Sequence, residues 1–521
     1  MRTAYSVETV RAAERDLMAR LPEGALMRRA AAGLAAVCAE LLGRGRGRVY
    51  GSRVVLLVGS GDNGGDALYA GARLARRGAG VTAVLLAPER AHAAGLAALR
   101  RAGGRTVEIT GPDTGTGPGP DTGTGPGPDT GTGLGPAVGT GPDAGTVAAL
   151  AAVRRADLVV DGIVGIGGTG GLRPAAVPLA EAAERSGAAV VAVDLPSGVD
   201  ADTGEVRGTA LRADLTVTFG THKPGLLVDP AREYAGSVRL VGIGLDLPAV
   251  PELEALQHAD VARLLPVPGA ESDKYRRGVV GIAAGSARYP GAAVLAVAGA
   301  LRGGAGAVRY AGPAGRDVIA RFPETLVSDR GPKHAGRVQA WVVGPGAGDD
   351  AGPVAEVLAA DVPVLIDADG LRLADASAVR ARSAPTLLTP HAGEAAALLG
   401  VEREEVEAGR LAAARELAGR YGATVLLKGS TTLVADPKDG DGTAVRVNPT
   451  GTSWLATAGS GDVLSGLAGS LLAAGLPARD AGSAAAYLHG LAGRRAAHGA
   501  PVGAHDVAEA IPGAWRDVLR G

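Results

Sequence analysis

The stretch Thr457–Gly466, TAGSGDVLSG, places a glycine-rich turn directly before a segment rich in alanine and leucine. Gly459 and Gly461 lack a Cβ, so backbone N–H groups can converge there, and the following helix adds its positive N-terminal end. Such a turn binds an anion. Asp462 would lie on the first helical turn, where its carboxylate can accept a proton from a hydroxyl that is being phosphorylated. The stretch therefore predicts phosphoryl transfer, although an isolated turn of this kind can also simply cap a helix.

Further motifs precede this turn in a fixed order. They are Tyr289–Ala293 (YPGAA), Gly344–Gly348 (GPGAG), Thr389–Glu394 (TPHAGE), Lys428–Thr432 (KGSTT) and Asn448–Thr452 (NPTGT). Together with Thr457–Gly466, these motifs resemble those of the ribokinase-like family that repairs hydrated NADH and NADPH. Several ordered motifs are far more specific than one, so the second half of the chain is expected to be a ribokinase-like α/β domain.

The resemblance implies a dehydratase that restores NADH or NADPH from the S form of the hydrated cofactor, NADHX or NADPHX. It also implies ADP as the phosphoryl donor, together with Mg²⁺, and AMP and phosphate as products. The implied catalytic residue is Asp462, and the implied substrate-binding residues are Ala292, Gly346, His391 and Asp462. The implied nucleotide-binding residues are Lys428, Gly429, Ser430, Thr431, Thr432 and Gly461.

Several of these residues have a plainer interpretation. His391 can hydrogen-bond its own loop, Lys428 can be a solvated residue at a strand end, and Gly346 can be required by packing alone. The sequence also departs from the family pattern at two places. Ala392 stands where the family usually has Pro, and Asp273 stands where it usually has His.

Three apolar runs in the first half each end in a loop rich in Gly and Asp. Arg53–Val58 leads to GSGDNGGD (59–66), Leu158–Val160 to DGIVGIGGTGG (161–171), and Ala189–Val193 to DLPSGVD (194–200). Continuous apolar runs of this length indicate buried parallel strands. Because ligands of open α/β sheets bind at the carboxyl ends of the strands, the three loops predict one ligand site. The first loop is neither a dinucleotide fingerprint nor a Walker A loop.

In this order the three loops resemble those of the NAD(P)HX epimerase domain, which interconverts the R and S forms of the hydrated cofactor. The resemblance implies Asp194 as the catalytic residue and a potassium ion bound by Asn63, Asp161 and Ser197. The implied substrate-binding residues are Asp62, Asn63, Gly64, Gly65, Asp66, Gly165, Ile166, Gly167, Gly168, Thr169, Gly170, Gly171 and Asp194. Asp62 replaces a more usual Asn, and GIGG (165–168) replaces Gly-Thr-Gly-Leu, so contacts in that loop would come from backbone N–H groups.

The residue types suit these roles. Asp194 follows an apolar strand, so its carboxylate is expected at the sheet edge, where it can transfer the proton that opens and recloses the C6–O bond. The oxygens of Asn63, Asp161 and Ser197 suit a hard cation. Each of these four side chains could instead cap its own turn.

The length of 521 residues predicts two domains, because a single core rarely grows beyond ~250–300 residues. The motifs place an epimerase domain at 1–246, a proline-containing linker at 247–275 and a dehydratase domain at 276–521. Alternating strands and helices predict two doubly wound α/β domains, the first Rossmann-like and the second ribokinase-like. Only 3% of residues are aromatic while 46% are hydrophobic, so the cores are expected to consist of Ala, Val and Leu.

An eight-residue repeat, GPDTGTGP, starts at Gly111 and decays by Gly145. A period of eight fits neither a helix nor a strand, and the Gly and Pro content cannot bury apolar surface. Residues 111–146 are therefore expected to be a disordered insert in a surface loop, with a partner-binding repeat as the alternative.

The charges of the chain nearly balance, with 53 Lys and Arg residues against 54 Asp and Glu residues, so nucleic acid is not an expected partner. Cys38 is the only cysteine, which indicates a reducing cytoplasm. No signal-peptide pattern and no apolar run of ~18 residues is present, so no membrane association is expected. The expected partners are the small molecules NADHX, NADPHX, ADP and AMP, and a homo-oligomer is expected.

The sequence thus predicts a bifunctional enzyme with an epimerase and a dehydratase domain. The alternative is a ribokinase-like kinase of a small molecule whose N-terminal domain only binds. Asp194 argues against a non-catalytic first domain, because scaffold relatives typically lack the catalytic Asp.

Overall fold

The computed structural model describes residues 1–109, 143–168, 170–437 and 443–520. Thr169 and most of the predicted insert, residues 111–142, lie outside the described residues. Within the described part, two β-sheets are each buried on both faces by packed helices. The prediction of two doubly wound α/β domains is therefore confirmed.

The elements are numbered in chain order. The strands are β1 (Arg2–Ala4), β2 (Arg53–Val58), β3 (Gly80–Leu85), β4 (Arg105–Glu108), β5 (Leu158–Gly162), β6 (Ala189–Val193), β7 (Leu215–Phe219), β8 (Ser237–Val241), β9 (Leu253–Ala255), β10 (Val279–Ala283), β11 (Ala307–Ala311), β12 (Leu326–Ser328), β13 (Ala340–Val343), β14 (Val364–Ile366), β15 (Thr386–Leu388), β16 (Thr424–Leu427), β17 (Thr432–Ala435) and β18 (Val445–Asn448). The helices are α1 (Val7–Met18), α2 (Ala25–Arg46), α3 (Asp62–Arg76), α4 (Ala93–Arg101), α5 (Ala144–Arg154), α6 (Val177–Arg185), α7 (Arg232–Ala235), α8 (His258–Leu264), α9 (Pro290–Arg302), α10 (Gly315–Arg321), α11 (Gly352–Leu358), α12 (Asp369–Leu373), α13 (Ala376–Arg380), α14 (Ala392–Leu399), α15 (Arg403–Ala408), α16 (Arg410–Tyr421), α17 (Ser460–Ala473), α18 (Ala478–Ala497) and α19 (Ala504–Arg520).

The first sheet is parallel, and in the described residues its strand order is β4-β3-β2-β5-β6-β7-β8. After the exposed Arg53, strand β2 is apolar, and both of its faces are buried. Val54 and Leu56 pack with helices α2 and α3, whereas Val55 and Leu57 pack with α5 and α6. The chain moves outward in opposite directions from β2 and β5, so the loops that follow these two strands diverge and leave a crevice between them.

The second sheet has eleven strands in the described residues, in the order β1-β9-β18-β17-β16-β15-β14-β13-β10-β11-β12. The part from β16 to β12 is parallel, and the order reverses between β10 and β13. Strand β17 runs antiparallel to both neighbours, β16 and β18. Among the described residues, none of the helices combines the length and apolarity needed to cross a membrane.

Helix α17, which begins within the quoted glycine-rich stretch, packs at backbone distance against α9. A Cβ on Gly466 would lie 1.9 Å from the carbonyl oxygen of Ala296, and a Cβ on Gly299 would lie 2.1 Å from that of Val463. Only glycine fits at such separations, so the two helices approach closely enough to place the start of α17 at the sheet edge. These two glycines therefore have a structural role at the contact between α17 and α9.

The predicted linker at 247–275 is wrong. Strand β9 and helix α8 both lie inside it, and Leu256, Val261 and Leu265 belong to the core of the second domain. The predicted first domain, 1–246, also contains one strand of the second sheet, because β1 pairs antiparallel with β9 as the outer strand of that sheet. Ala4 on β1 also bridges to His222 of the first domain. The two domains are thus joined by a strand as well as by their connection.

The predicted insert extends too far toward the C-terminus. Helix α5 begins at Ala144, and the Asp143 side chain caps it by accepting a hydrogen bond from the Thr146 backbone N–H. A Cβ on Gly145 would lie 2.1 Å from the carbonyl oxygen of Glu108 at the end of β4. The two ends of the intervening segment are therefore adjacent.

This geometry sharpens the expected effect of a deletion. Replacing residues 111–142 by a short Gly-Ser link should change the melting temperature little, because loop closure costs only ~0.6 kcal/mol per doubling of loop length. Extending the deletion to 146 removes the Asp143 cap, worth ~1 kcal/mol, and should lower the melting temperature by ~2–4 °C. Differential scanning calorimetry distinguishes the two, and a large loss on the shorter deletion would contradict the loop interpretation.

Candidate active sites

Asp194 lies at the carboxyl end of β6, in the crevice of the first sheet. It is buried and has a φ of 67°, a left-handed conformation that is unusual for a residue other than glycine. Its Oδ1 accepts hydrogen bonds from the Thr218 hydroxyl at 2.9 Å, the Phe219 N–H at 3.1 Å and the Lys223 ammonium at 2.5 Å. In the part of the chain that the structure describes, these bonds all go to Oδ1, so Oδ2 is the oxygen open to a substrate.

Lys223 was not predicted from the sequence. Its side chain is only 1% exposed and donates to the Thr218 hydroxyl and the Phe219 carbonyl as well as to Asp194. A buried lysine needs a charged partner, so this ion pair fixes the orientation of the Asp194 carboxylate. The available signal was a lysine that follows the apolar strand β7 closely, in THKPG (221–225).

The NGGD motif forms the first turns of α3. Gly64 allows this turn to approach β2, since a Cβ there would lie 2.6 Å from the carbonyl oxygen of Gly59. Asp66 is buried, and its Oδ1 has no hydrogen-bond partner among the described residues. Burial, and then the nearby charges of Asp194, Asp62 and Glu14, raise the pKa of Asp66 well above its usual value. The motif thus contributes a carboxyl group beside Asp194.

Asp161 and Ser197, from the loops after β5 and β6, contact each other directly. The Ser197 hydroxyl donates to Asp161 Oδ1 at 2.6 Å, and the Ser197 N–H donates to Oδ2 at 2.8 Å. Both residues are fully buried, and burial raises the pKa of Asp161 to about 6 despite these bonds. Asn63 lies in the same region, since a Cβ on Gly165 would lie 2.3 Å from its Oδ1. Its amide donates to the Val193 carbonyl at 2.5 Å.

Most of the remaining predicted epimerase residues lie in the loop after β5. Ile166 packs with the apolar cluster around Leu195. A Cβ on Gly167 would lie 3.0 Å from the Arg11 guanidinium, and one on Gly171 would lie 2.6 Å from the Arg207 carbonyl oxygen. Gly165, Gly168 and Gly170 belong to the same loop, and Gly65 lies in the NGGD turn.

In the second domain, Asp462 lies on the first turn of α17, after the left-handed Gly459. Burial raises the pKa of Asp462 to about 7, with Asp367 raising it further and Lys428 opposing the shift. Gly461 faces the same point, since a Cβ there would lie 3.4 Å from Lys428 Nζ and 3.9 Å from Asp367 Oδ2. The predicted residues Gly461, Asp462 and Lys428 are therefore brought together.

Two acidic residues of this cluster, Asp367 and Glu394, were missed by sequence reasoning. Asp367 is 1% exposed and accepts from Lys428 Nζ at 2.7 Å and from the Ser465 hydroxyl at 2.6 Å. Glu394 lies 3.6 Å from Lys428 Nζ. Burial lowers the pKa of Lys428, but Asp367 and Glu394 outweigh it and the pKa is raised. Asp367 follows β14 as Asp194 follows β6, so the same strand-end pattern was available to find it.

His391 and Gly346, both predicted to bind substrate, also have structural roles in a helix cap and in close packing. His391 caps α14, because its Nδ1 accepts from the Glu394 N–H at 3.1 Å while Glu394 accepts from the His391 N–H at 2.7 Å. Its side chain is nevertheless 59% exposed, and its Nε2 lies 3.5 Å from Glu394 Oε1. Gly346 has a φ of 62°, and a Cβ there would lie 2.7 Å from the Ala292 methyl group. The predicted substrate residues Gly346 and Ala292 are therefore neighbours.

The loop Lys428–Thr431 joins β16 to β17. Ser430 is exposed, and the Thr432 hydroxyl donates to the Gly429 carbonyl at 3.4 Å. The Thr431 hydroxyl, predicted to contact a nucleotide, is fully buried and donates to Asp229. A nucleotide contact by that hydroxyl is therefore not available, because the group is already occupied away from solvent.

The fold and the two clusters define a two-domain α/β protein with one buried carboxylate site in each domain. A family model described as "YjeF-related protein N-terminus" matches residues 23–225, and one described as "NAD(P)H-hydrate dehydratase" matches residues 280–513. The bifunctional NAD(P)H-hydrate repair enzyme Nnr of Mycobacterium leprae is 48% identical over 495 residues, 94% of this chain and 93% of the relative. The enzyme of the same description from Mycobacterium tuberculosis is 49% identical over 487 residues, 92% of this chain and 91% of the relative.

A solved structure of ADP/ATP-dependent NAD(P)H-hydrate dehydratase from Bacillus subtilis, co-crystallized with ATP/Mg²⁺, matches with 30% identity and a TM-score of 0.45. It covers 50% of this chain and 97% of that chain. The chain belongs to the family of bifunctional NAD(P)H-hydrate repair enzymes. The resemblance inferred from the motifs is thereby confirmed.

Proposed function

We propose that the first domain interconverts R- and S-NAD(P)HX and that the second converts S-NAD(P)HX to NAD(P)H with ADP or ATP as phosphoryl donor. The observation that carries this proposal is a pair of carboxylates, the buried Asp194 and the half-buried Asp462, each placed for proton transfer in its own domain. Asp194 is oriented by an ion pair, whereas Asp462 has its pKa raised to about 7 beside an anion-binding turn.

In the first domain, Asp194 is the catalytic residue. A carboxyl group that donates a proton to the leaving C6 hydroxyl, and recovers one as water adds to the opposite face, inverts C6 with no net change in atoms. The three bonds to Oδ1 fix the side chain, and Oδ2 exchanges the proton. The Gly-rich loop after β5 supplies backbone N–H groups for the substrate.

A potassium ion fits the cluster of Asp161, Ser197 and Asn63. Asp161 is a fully buried carboxylate that has no cationic side chain beside it among the described residues, and such a charge calls for a bound cation. Asp161, Ser197 and Asn63 would hold the ion through oxygen atoms. When bound, it would supply positive charge next to the substrate.

Asp161→Ala should abolish the response of the epimerase to potassium, because it removes the only formal charge among the three ligands. Ser197→Ala should weaken the response less, since the carboxylate remains, although the burial of Ser197 limits replacement by water. The measurement is epimerisation and thermal stability in potassium, lithium or choline chloride. Wild-type protein that behaves identically in all three salts would contradict potassium binding.

In the second domain, Asp462 accepts the proton of the C6 hydroxyl as it is phosphorylated, and loss of the resulting phosphate gives NAD(P)H. The turn at Gly459 and Gly461 and the ammonium of Lys428 stabilise phosphate oxygens. The carboxylates of Asp367, Glu394 and Asp462 surround one ammonium, and this excess of negative charge fits Mg²⁺. Both oxygens of Asp367 already accept hydrogen bonds, so Glu394, which is 21% exposed, would help to hold Mg²⁺ with the nucleotide, where the ion would neutralise phosphate charge.

Incubation of the protein with S-NADHX and either ADP or ATP tests this function. Recovery of the NADH absorbance at 340 nm, with one phosphate released per NADH, is the expected result. A stable phosphorylated product with no NADH would instead indicate a small-molecule kinase. Epimerisation of purified R-NADHX in the absence of nucleotide, followed by chromatography, tests the first domain separately.

A further inference from the structure

One buried segment of the first domain reaches both sites. Residues 221–230, THKPGLLVDP, follow β7 and are buried from Thr221 to Asp229. Near its start, Lys223 binds Asp194 in the first domain. At its end, Asp229 crosses to the second domain and contacts Thr431.

The contact between Asp229 and Thr431 is reciprocal. Asp229 Oδ2 accepts from the Thr431 N–H at 2.7 Å and from the Thr431 hydroxyl at 2.8 Å. The Asp229 N–H in turn donates to the Thr431 hydroxyl oxygen at 3.2 Å. Asp229 is 8% exposed and Thr431 is fully buried, so water does not compete for these bonds. Hydrogen bonds to an ionised acceptor are stronger than neutral ones, which makes this contact a strong restraint.

The restrained loop, Lys428–Thr431, begins with the lysine of the dehydratase site. The loop is also held by Arg410 of α16, which donates to the carbonyl oxygens of Lys428 at 3.0 Å and Thr431 at 3.2 Å. A Cβ on Gly429 would lie 2.2 Å from the Arg410 guanidinium, so the loop lies directly on that side chain. Arg410 belongs to the second domain, whereas the restraint by Asp229 comes from the first.

We propose that Asp229 is a positioning residue of the dehydratase, which fixes the nucleotide-binding loop Lys428–Thr431 from the neighbouring domain. This inference rests on the proposed nucleotide-binding role of that loop. A loop already fixed in its binding conformation loses less conformational entropy when the nucleotide binds. Nucleotide affinity in the second domain therefore depends on a residue of the epimerase domain.

Asp229→Ala in the full-length protein tests the proposal, with ADP as the probe. The KM for ADP and its Kd from calorimetry should both rise by about tenfold, the equivalent of ~1.4 kcal/mol, while kcat stays close to that of the wild type. Asp229→Asn should recover much of the affinity, because the amide oxygen can still accept from Thr431. Epimerisation should be retained, since Asp229 does not contact Asp194.

Asp202→Asn is the matched control. Asp202 also borders the cleft between the domains and accepts a backbone N–H, that of Val7 at 2.7 Å, but it has no contact with the nucleotide loop. It should leave the KM for ADP unchanged. If Asp229→Ala folds poorly, Thr431→Val removes only the hydroxyl bonds and should raise the KM for ADP by a smaller factor.

Unchanged ADP affinity in both Asp229→Ala and Thr431→Val would overturn the inference. A parallel loss of kcat, epimerisation and thermal stability in Asp229→Ala would also overturn it, because that pattern indicates a merely structural role. Lys428→Ala distinguishes a failure of this inference from a failure of the proposed function. If it weakens ADP binding and Asp229→Ala does not, only this inference fails; wild-type protein that binds neither ADP nor ATP would overturn the proposed function as well.

Discussion

Asp462→Asn is expected to lower the turnover of S-NADHX by ~10²–10⁴-fold, because the substitution removes only the proton acceptor. Asn has nearly the same shape as Asp and keeps the turn at Gly459 and Gly461, so the binding of ADP and AMP should be largely unchanged. The measurements are kcat from NADH formation and the Kd of each nucleotide from calorimetry.

The pH dependence gives a second readout of the same residue. Burial, with a contribution from Asp367, raises the pKa of Asp462 to about 7, and only the ionised carboxylate accepts a proton. The value of kcat/KM for dehydration in the wild type should therefore rise as the pH increases through about 7. Epimerisation by the same chain serves as the internal control. Turnover in Asp462→Asn comparable to that of the wild type would rule out Asp462 as the base.

Asp194→Asn is expected to reduce epimerisation by a similar factor, ~10²–10⁴-fold, since the amide cannot exchange a proton at Oδ2. Asn is the appropriate replacement because it tolerates the left-handed backbone at φ 67°, whereas other side chains would add strain. Epimerisation of R-NADHX is the measurement, and dehydration of S-NADHX should be unaffected.

The substitution also leaves Lys223 buried without its charged partner, which can destabilise the domain by ~3–5 kcal/mol. The double variant Asp194→Asn/Lys223→Met removes both charges and should recover most of the lost melting temperature without recovering activity. This comparison separates the loss of chemistry from the loss of stability. Epimerisation in either variant at the wild-type rate would exclude Asp194 as the catalytic residue.

Much of the fold was predictable because parallel strands buried on both faces are continuous apolar runs. The runs at Arg53–Val58 and Ala189–Val193 are strands β2 and β6 with the predicted limits or nearly so. Strands β1 and β9 were not predicted, because each has only three residues and is stabilised by pairing with a segment far away in the chain. The prolines around β9 favoured a linker in the sequence, but tertiary pairing overrides that local signal.

The site residues also divide into those that the sequence indicated and those that it did not. Asp194 and Asp462 were predictable because each carboxylate stands next to a strand end or a glycine-rich turn. Lys223 and Glu394 were not, since their roles arise from contacts between loops whose separation only the folded chain fixes. Thr431 shows the reverse, because its place in a hydroxyl-rich motif indicated a ligand contact while its hydroxyl donates to Asp229 of the other domain.

The outer strand β1 also imposes an order on folding during synthesis. Its partner β9 is made about 250 residues later, which at ~5–20 residues per second takes ~12–50 s. The first domain can complete its own sheet, from β2 to β8, within that interval, and Ala4 can already bridge to His222, whereas the β9 partner of Arg2–Ala4 has not yet been made. The edge of the second sheet is then closed by a segment that left the ribosome long before the rest of that sheet. A ribosome-bound chain arrested after β8 should therefore expose residues 1–3 to a protease and become protected there only once β9 has emerged.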